Sequence, residues 1–125
     1  MVKDVGAVAI GDQCWEIYIG GAAGAHVRKG DLICTVTGDD EVIVISGRFM
    51  QYYRENAKWK KRTYDFMPRI GVDELRAIVI DNRDGIAADL DVHMQASVEV
   101  AYDPWKEATM PKTANQFANL IAVSA

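Results

Sequence analysis

The sequence predicts an α+β fold, a three-stranded antiparallel sheet followed by about three helices. Three observations lead there: apolar residues alternate up to residue 37, the repeat changes to about 3.6 beyond it, and turn-forming residues mark the junctions. Residues 5–10 (VGAVAI) and 14–19 (CWEIYI) are β-rich runs separated by Gly11, Asp12 and Gln13, the pattern of a hairpin with a tight turn. In the second run Trp15, Ile17 and Ile19 alternate with Cys14, Glu16 and Tyr18, so one face is strongly apolar and needs a cover. The segment GGAAGAHVRKG breaks the alternation with four glycines, and DLICTV resumes it as a third strand after a connection that is long for a hairpin.

Beyond Thr37, Val42, Ile45, Phe49, Tyr53 and Ala57 recur at helical spacing, which predicts one long helix from about residue 40 to the region of Pro68–Gly71. Thr37 and Asp39 are candidate N-caps, and Asp40 and Glu41 complement the positive end of the helix dipole. A second helix, VDELRAIVID, places Val72, Leu75 and Val79 on one stripe and stops at the turn from Asn82 to Gly85. A third carries Ile86, Leu90, Met94 and Val98 and ends at Asp103 and Pro104. From Trp105 onward the periodicity is weak, so residues 1–104 read as the domain and 105–125 as a tail or linker. A three-stranded sheet has two edges with unpaired backbone groups, so the chain is expected to pair with something, an upstream segment or another copy.

A chain of 125 residues with 50% hydrophobic content is large enough for one core. Its formal charge of -4 provides no long-range attraction to nucleic acid or to an anionic membrane. No run approaches the roughly 20 apolar residues of a membrane span, and MVKDVGAVAIGDQ lacks the layout of a signal peptide, so a cytoplasmic setting is expected. Cys14 and Cys34 are too few for a disulfide scaffold and match no compact metal-ligand pair, which leaves buried free thiols.

The strongest local signal is the loop from Gly20 to Gly30. Glycines let a backbone approach a ligand closely and expose amide donors to anionic oxygens, and His26, Arg28 and Lys29 add donors and charge. The plainer reading is a wide hairpin loop whose glycines serve backbone geometry. It is neither a P-loop, lacking GxxxxGK[ST], nor a dinucleotide fingerprint. Arg54, Lys58, Lys61 and Arg62, interleaved with Tyr53, Trp59 and Tyr64, read either as a solvated helix face or as a surface for a phosphate, a carboxylate or an acidic partner. His26 and His93 have no partner at metal-ligand spacing, and Asp12, Asp39, Asp73 and Asp84 sit at caps and turns. No nucleophile–base motif is present, so residues alone predict no catalytic and no metal-binding side chains.

Taken together, KDVGAVAI, CWEIYIGGAAGAHVRKGDLICTV, GRFMQYYRENAKW and MQASVEVAYDPWKE resemble the last part of the large subunit of assimilatory NAD(P)H nitrite reductases, over roughly residues 3–107. That resemblance implies half of a nitrite/sulfite reductase 4Fe-4S-domain-like fold, with two further strands of the same sheet upstream. It implies a parent oxidoreductase of nitrate assimilation and nitrogen metabolism that reduces nitrite to ammonia with six electrons. Its sirohaem iron is coupled to a 4Fe-4S cluster through a shared cysteine, while FAD and NAD(P)H bind in other domains. The family's cluster cysteines, a Cys-x5-Cys-like pair and a Cys-x3-Cys pair, lie upstream of the KDVG strand, as do its nitrite-binding basic residues. Cys14 and Cys34 do not match them. The implied reading is a fragment that helps form the sirohaem site, binds no cofactor by itself and is inactive alone. Its partners are the remainder of the large subunit and the small subunit, with no nucleic acid or membrane. The positions that match the loop running close to the tetrapyrrole are Gly20, Gly21 and Arg28. Ala22 stands where relatives often have asparagine, so a side-chain contact there does not carry over. The alternative is a stand-alone module that holds an anionic ligand at the Gly20–Gly30 loop or scaffolds a partner.

Overall fold

The computed structural model describes residues 1–109 and divides the chain into two compact units, residues 1–95 and 96–125. In the first unit β1 (Val5–Gly11), β2 (Cys14–Ile19) and β5 (Asp31–Thr37) form an antiparallel sheet in the order β1-β2-β5. The hairpin expected from the sequence is present: Ala9 faces Trp15, Gly11 faces Cys14, and Gln13 takes the left-handed conformation that the tight turn needs, with φ 54°. Between β2 and β5 the expected loop contains a small ribbon of its own, β3 (Ala22–Ala23) paired with β4 (Val27–Arg28).

The apolar face follows the predicted alternation. Ile17 and Ile19 are fully buried, and with Ile33 they meet Phe49, Phe66, Met67, Leu75, Ile78 and Val79 in one core. Ile33 reaches that core through a β-bulge: Ile17 faces Cys34 and Tyr18 faces Leu32, which leaves Ile33 as the extra residue. A bulge releases carbonyls from the ladder, and Arg76 collects them, donating Nε to the Ile33 carbonyl at 3.0 Å and a terminal NH2 to that of Leu32.

The helical layer is α1 (Asp39–Asn56), α2 (Thr63–Ile70), α3 (Val72–Val79) and the start of α4 (Ala87–Val100). The single long helix expected from residue 40 to Pro68–Gly71 is therefore two, separated by residues 57–62. Two physical effects stop α1. Lys58, Lys61 and Arg62 would place like charges three and four residues apart on a helix face, and Ala57 leaves in an extended conformation with ψ 142°. The break lets α2 fold back, so that Phe66 meets Tyr52 and Tyr53 edge-on, with ring centroids 6.1 and 5.4 Å away. Neither Thr37 nor Asp39 caps α1. Gly38 does, with φ 88°, while Thr37 remains in β5 and donates its N–H to Glu41 at 3.0 Å.

Arg48 joins three helices. Its guanidinium makes a two-pronged contact with Asp91 at 2.9 and 2.6 Å and donates to the Val79 carbonyl at 3.0 Å. The α4 stripe is buried only at its beginning: Ala87 and Leu90 are in the interior, whereas Val98, in the second unit, is 56% exposed. Past Asp103, α5 (Pro104–Thr109) adds a short helix where weak periodicity suggested none, and residues 110–125 of the expected tail lie outside the described residues. No helix among the described residues is long and apolar enough to cross a membrane.

Phe66 fixes the return of α2 with a fully buried ring, and its truncation removes that anchor. Phe66→Ala is expected to lower unfolding free energy by about 3–5 kcal/mol in urea titration. A loss under ~1 kcal/mol would show that α2 docks by other means.

Candidate functional site

The site is built where β2 ends. Gly20 turns the chain with φ +70°, and a Cβ there would stand 2.2 Å from Met67 Cγ of α2, so no other residue fits without displacing the helix. Gly21 is equally constrained: its Cβ would meet the Lys3 backbone at 2.7 and 2.8 Å. These contacts exist because residues 1–4 run alongside the loop. The amides of Gly20, Gly21 and Gly30 donate to the carbonyls of Asp4, Lys3 and Met1 at 2.8, 2.9 and 2.8 Å. The glycine amides expected to be open to a ligand are thus engaged by the chain's own N-terminal segment.

Arg28 is brought to the same place but points inward. It donates to the Gly20 carbonyl at 2.8 Å and pairs with Asp31 at 2.7 Å, which braces the base of the β3–β4 ribbon. Of the three residues singled out in the sequence, Gly21 lines an open cleft of about 420 Å³, formed by residues 2–4 and 21–24 with Arg62 and Tyr64. Gly20 and Arg28 shape its wall from behind.

Sequence reasoning missed the opposite wall. Asp4 accepts hydrogen bonds from the Thr63 hydroxyl and from Arg62, the latter at 2.8 Å, and so ties the N-terminal segment to the first turn of α2. The Thr63 hydrogen bond, with the Arg62 charge beside it, holds the Asp4 carboxyl below its ordinary 3.8. Arg62 was read as part of a helix face. Lys3 and Asp4 lie ahead of the first strand, where no local pattern reveals that a segment 58 or 59 residues away in sequence will meet them. Arg62 is paired with Asp4, so the three charged residues of the cleft leave one net positive charge, that of Lys3.

The remaining candidates lie elsewhere. Cys14 and Cys34 are free, half-buried and not opposite one another, and burial pushes the Cys34 thiol up. His93 is exposed and contacts Glu55 through Nδ1 at 2.8 Å. His26 lies in the exposed turn of the ribbon. Among the described residues no three histidine, cysteine or acidic side chains converge as metal ligands.

Comparison with known proteins adds to this geometry. The profile described as "Nitrite and sulphite reductase 4Fe-4S domain" matches residues 1–86. The nitrite reductase [NAD(P)H] of Bacillus subtilis is 34% identical over 98% of this chain, which spans 15% of that relative. The nitrite reductase (NADH) large subunit of Escherichia coli is 30% identical over 95% of the chain and 14% of its own length. An assimilatory-type sulfite reductase of Nitratidesulfovibrio vulgaris is 30% identical over 63% of the chain and 36% of its own length. No solved structure matches.

Because the folded-state carboxyl of Asp4 titrates lower than it would unfolded, its contribution is present above the ordinary value and disappears as pH falls through the folded one. Asp4→Asn is expected to cost about 1 kcal/mol at neutral pH. Urea unfolding at pH 7 and in strong acid checks it: the difference between variant and parent should close in acid, and a constant difference would exclude the ionised carboxylate as its source.

Proposed function

This chain belongs to the nitrite and sulphite reductase 4Fe-4S domain family, and on that premise we propose that it is the C-terminal part of a nitrite reductase large subunit. In that role residues 1–104 contribute one wall of the sirohaem site to an enzyme that reduces nitrite to ammonia with six electrons, and residues 105–125 serve as a tail or linker. Nitrite is preferred over sulfite because the two nitrite reductases match nearly the whole chain, whereas the sulfite reductase matches 63% of it.

The observation that carries the reading is the cleft. A tetrapyrrole with many carboxylates seeks cationic donors beside a backbone surface without side chains, and Lys3 and Arg62 line the cleft together with Gly21 and Gly24. In this proposal Lys3, Arg62 and the Tyr64 hydroxyl hold the carboxylates. Gly20, Gly21 and Arg28 keep the wall in place, which replaces direct amide donation by the glycine pair. When bound, sirohaem supplies the redox-active iron. The 4Fe-4S cluster does not fit this chain: it takes four thiolates, and the sequence has two cysteines on neighbouring strands with Cys34 facing Ile17. Cluster ligands and the basic residues that bind nitrite belong, in this proposal, to the preceding part of the large subunit. The FAD and NAD(P)H sites lie in its other domains.

The partners follow as the remainder of the large subunit and its small subunit in the cytoplasm, with no nucleic acid and no membrane. The exposed β1 edge is available to an upstream strand or to another copy.

The isolated chain is expected to be colourless and inactive toward nitrite. An iron–sulfur or haem absorbance band in the purified chain would overturn this division of labour. Replacing the matching segment of the B. subtilis nitrite reductase by this chain should preserve sirohaem absorbance and nitrite reduction by a reduced viologen dye. In that chimaera Arg62→Ala removes a charge-assisted contact and should weaken sirohaem retention about tenfold to a hundredfold. Full retention, or a chain that ignores sirohaem and binds another anion at the cleft, would favour a stand-alone binding module.

A further inference from the structure

The cleft holds a carboxylate of its own at the group a ligand's carboxylate would need. Asp4, which lines the cleft with Lys3 and Arg62, accepts one hydrogen bond from a terminal nitrogen of Arg62 at 2.8 Å and another from the Thr63 hydroxyl. The two contacts differ in kind. Thr63 is 2% exposed in the first turn of α2, so its hydroxyl is fixed by the packing of that helix. The Arg62 side chain is 64% exposed, and its bond to Asp4 is a solvent-facing ion pair, which forms and breaks at little cost. Lys3 is exposed and absent from the ion pairs found among the described residues.

An anion entering the cleft therefore meets Lys3 directly, but it meets Arg62 only beside a negative charge that is already there. Arg62 can turn away while Asp4 stays on Thr63. The amides of Gly20, Gly21 and Gly30 meanwhile keep residues 1–4 along the loop.

We propose that Asp4 is the affinity-setting residue of the cleft: its carboxylate competes with an incoming carboxylate for Arg62, and Arg62 reaches the ligand by leaving Asp4 bound to Thr63. The proposal rests on the reading of the cleft as a carboxylate site. A ligand with one carboxylate exchanges one pair at Arg62 for another and gains little. A ligand with several also engages Lys3, which makes polycarboxylates the class that the cleft takes.

The test is a titration of the full 125-residue chain with two probes, a metal-free porphyrin whose side chains all end in carboxylates and benzenehexacarboxylate. Binding is followed through the amide resonances of residues 21–24 up to millimolar probe, since one wall alone holds a ligand weakly. Asp4→Asn should tighten the binding of both probes about tenfold, but no more than about threefold when Arg62→Ala is also present, because only repulsion by Asp4 is then relieved. Asp4→Ser provides a second measure free of an amide that still accepts from Arg62, and unchanged resonances away from the cleft certify that each variant is folded. Equal tightening with and without Arg62, the porphyrin still binding, overturns the competition and leaves the sirohaem reading standing. Unequal tightening with benzenehexacarboxylate and no binding of the porphyrin upholds the competition and overturns the sirohaem reading. Failure of every variant to bind either probe overturns both.

Discussion

Where β2 ends, the chain must leave the sheet within touching distance of α2, and a side chain at that point has nowhere to go. Gly20 solves this with a left-handed turn that lets Met67 occupy the space a Cβ would take. Everything around the cleft depends on that closeness. Beside it, residues 1–4 lie along the loop, Asp4 meets Thr63 and Arg62, and Gly21 gives room to the Lys3 backbone.

How much of this was legible in the sequence depended on the range of the interactions. The strands, the turn at residues 11–13 and α3 follow from patterns spanning a few residues, and they formed where the alternation and the Val72–Leu75–Val79 stripe put them. The long helix was misread because Tyr53 and Ala57 continue the stripe up to the break, and what ends it is a run of like charges and the gain from turning Phe66 back onto Tyr52 and Tyr53. The second of these is tertiary, so a window on the sequence does not contain it. In the glycine loop the amides of Gly20, Gly21 and Gly30 are engaged by the protein's own N-terminal backbone, and Lys3 and Arg62 line the cleft beside it. Pairing between residues 4 and 63 leaves no periodic signal.

The family assignment and the geometry bear on different scales. The match over residues 1–86 identifies the fold's lineage, while the chain amounts to 15% of the length of its Bacillus relative. With two cysteines on neighbouring strands, the chain does not by itself supply the four thiolates that a 4Fe-4S cluster takes. The part-buried links Arg48–Asp91 and Arg76–Ile33 fix helices against one another and against the sheet.

The bulge at Ile33 reaches beyond the core. By gripping the carbonyls of Leu32 and Ile33, Arg76 occupies acceptors that a newcomer strand would require beside β5. At that point the flank of β5 is closed to pairing, whereas the outer edge of β1 carries no such cover among the described side-chain hydrogen bonds.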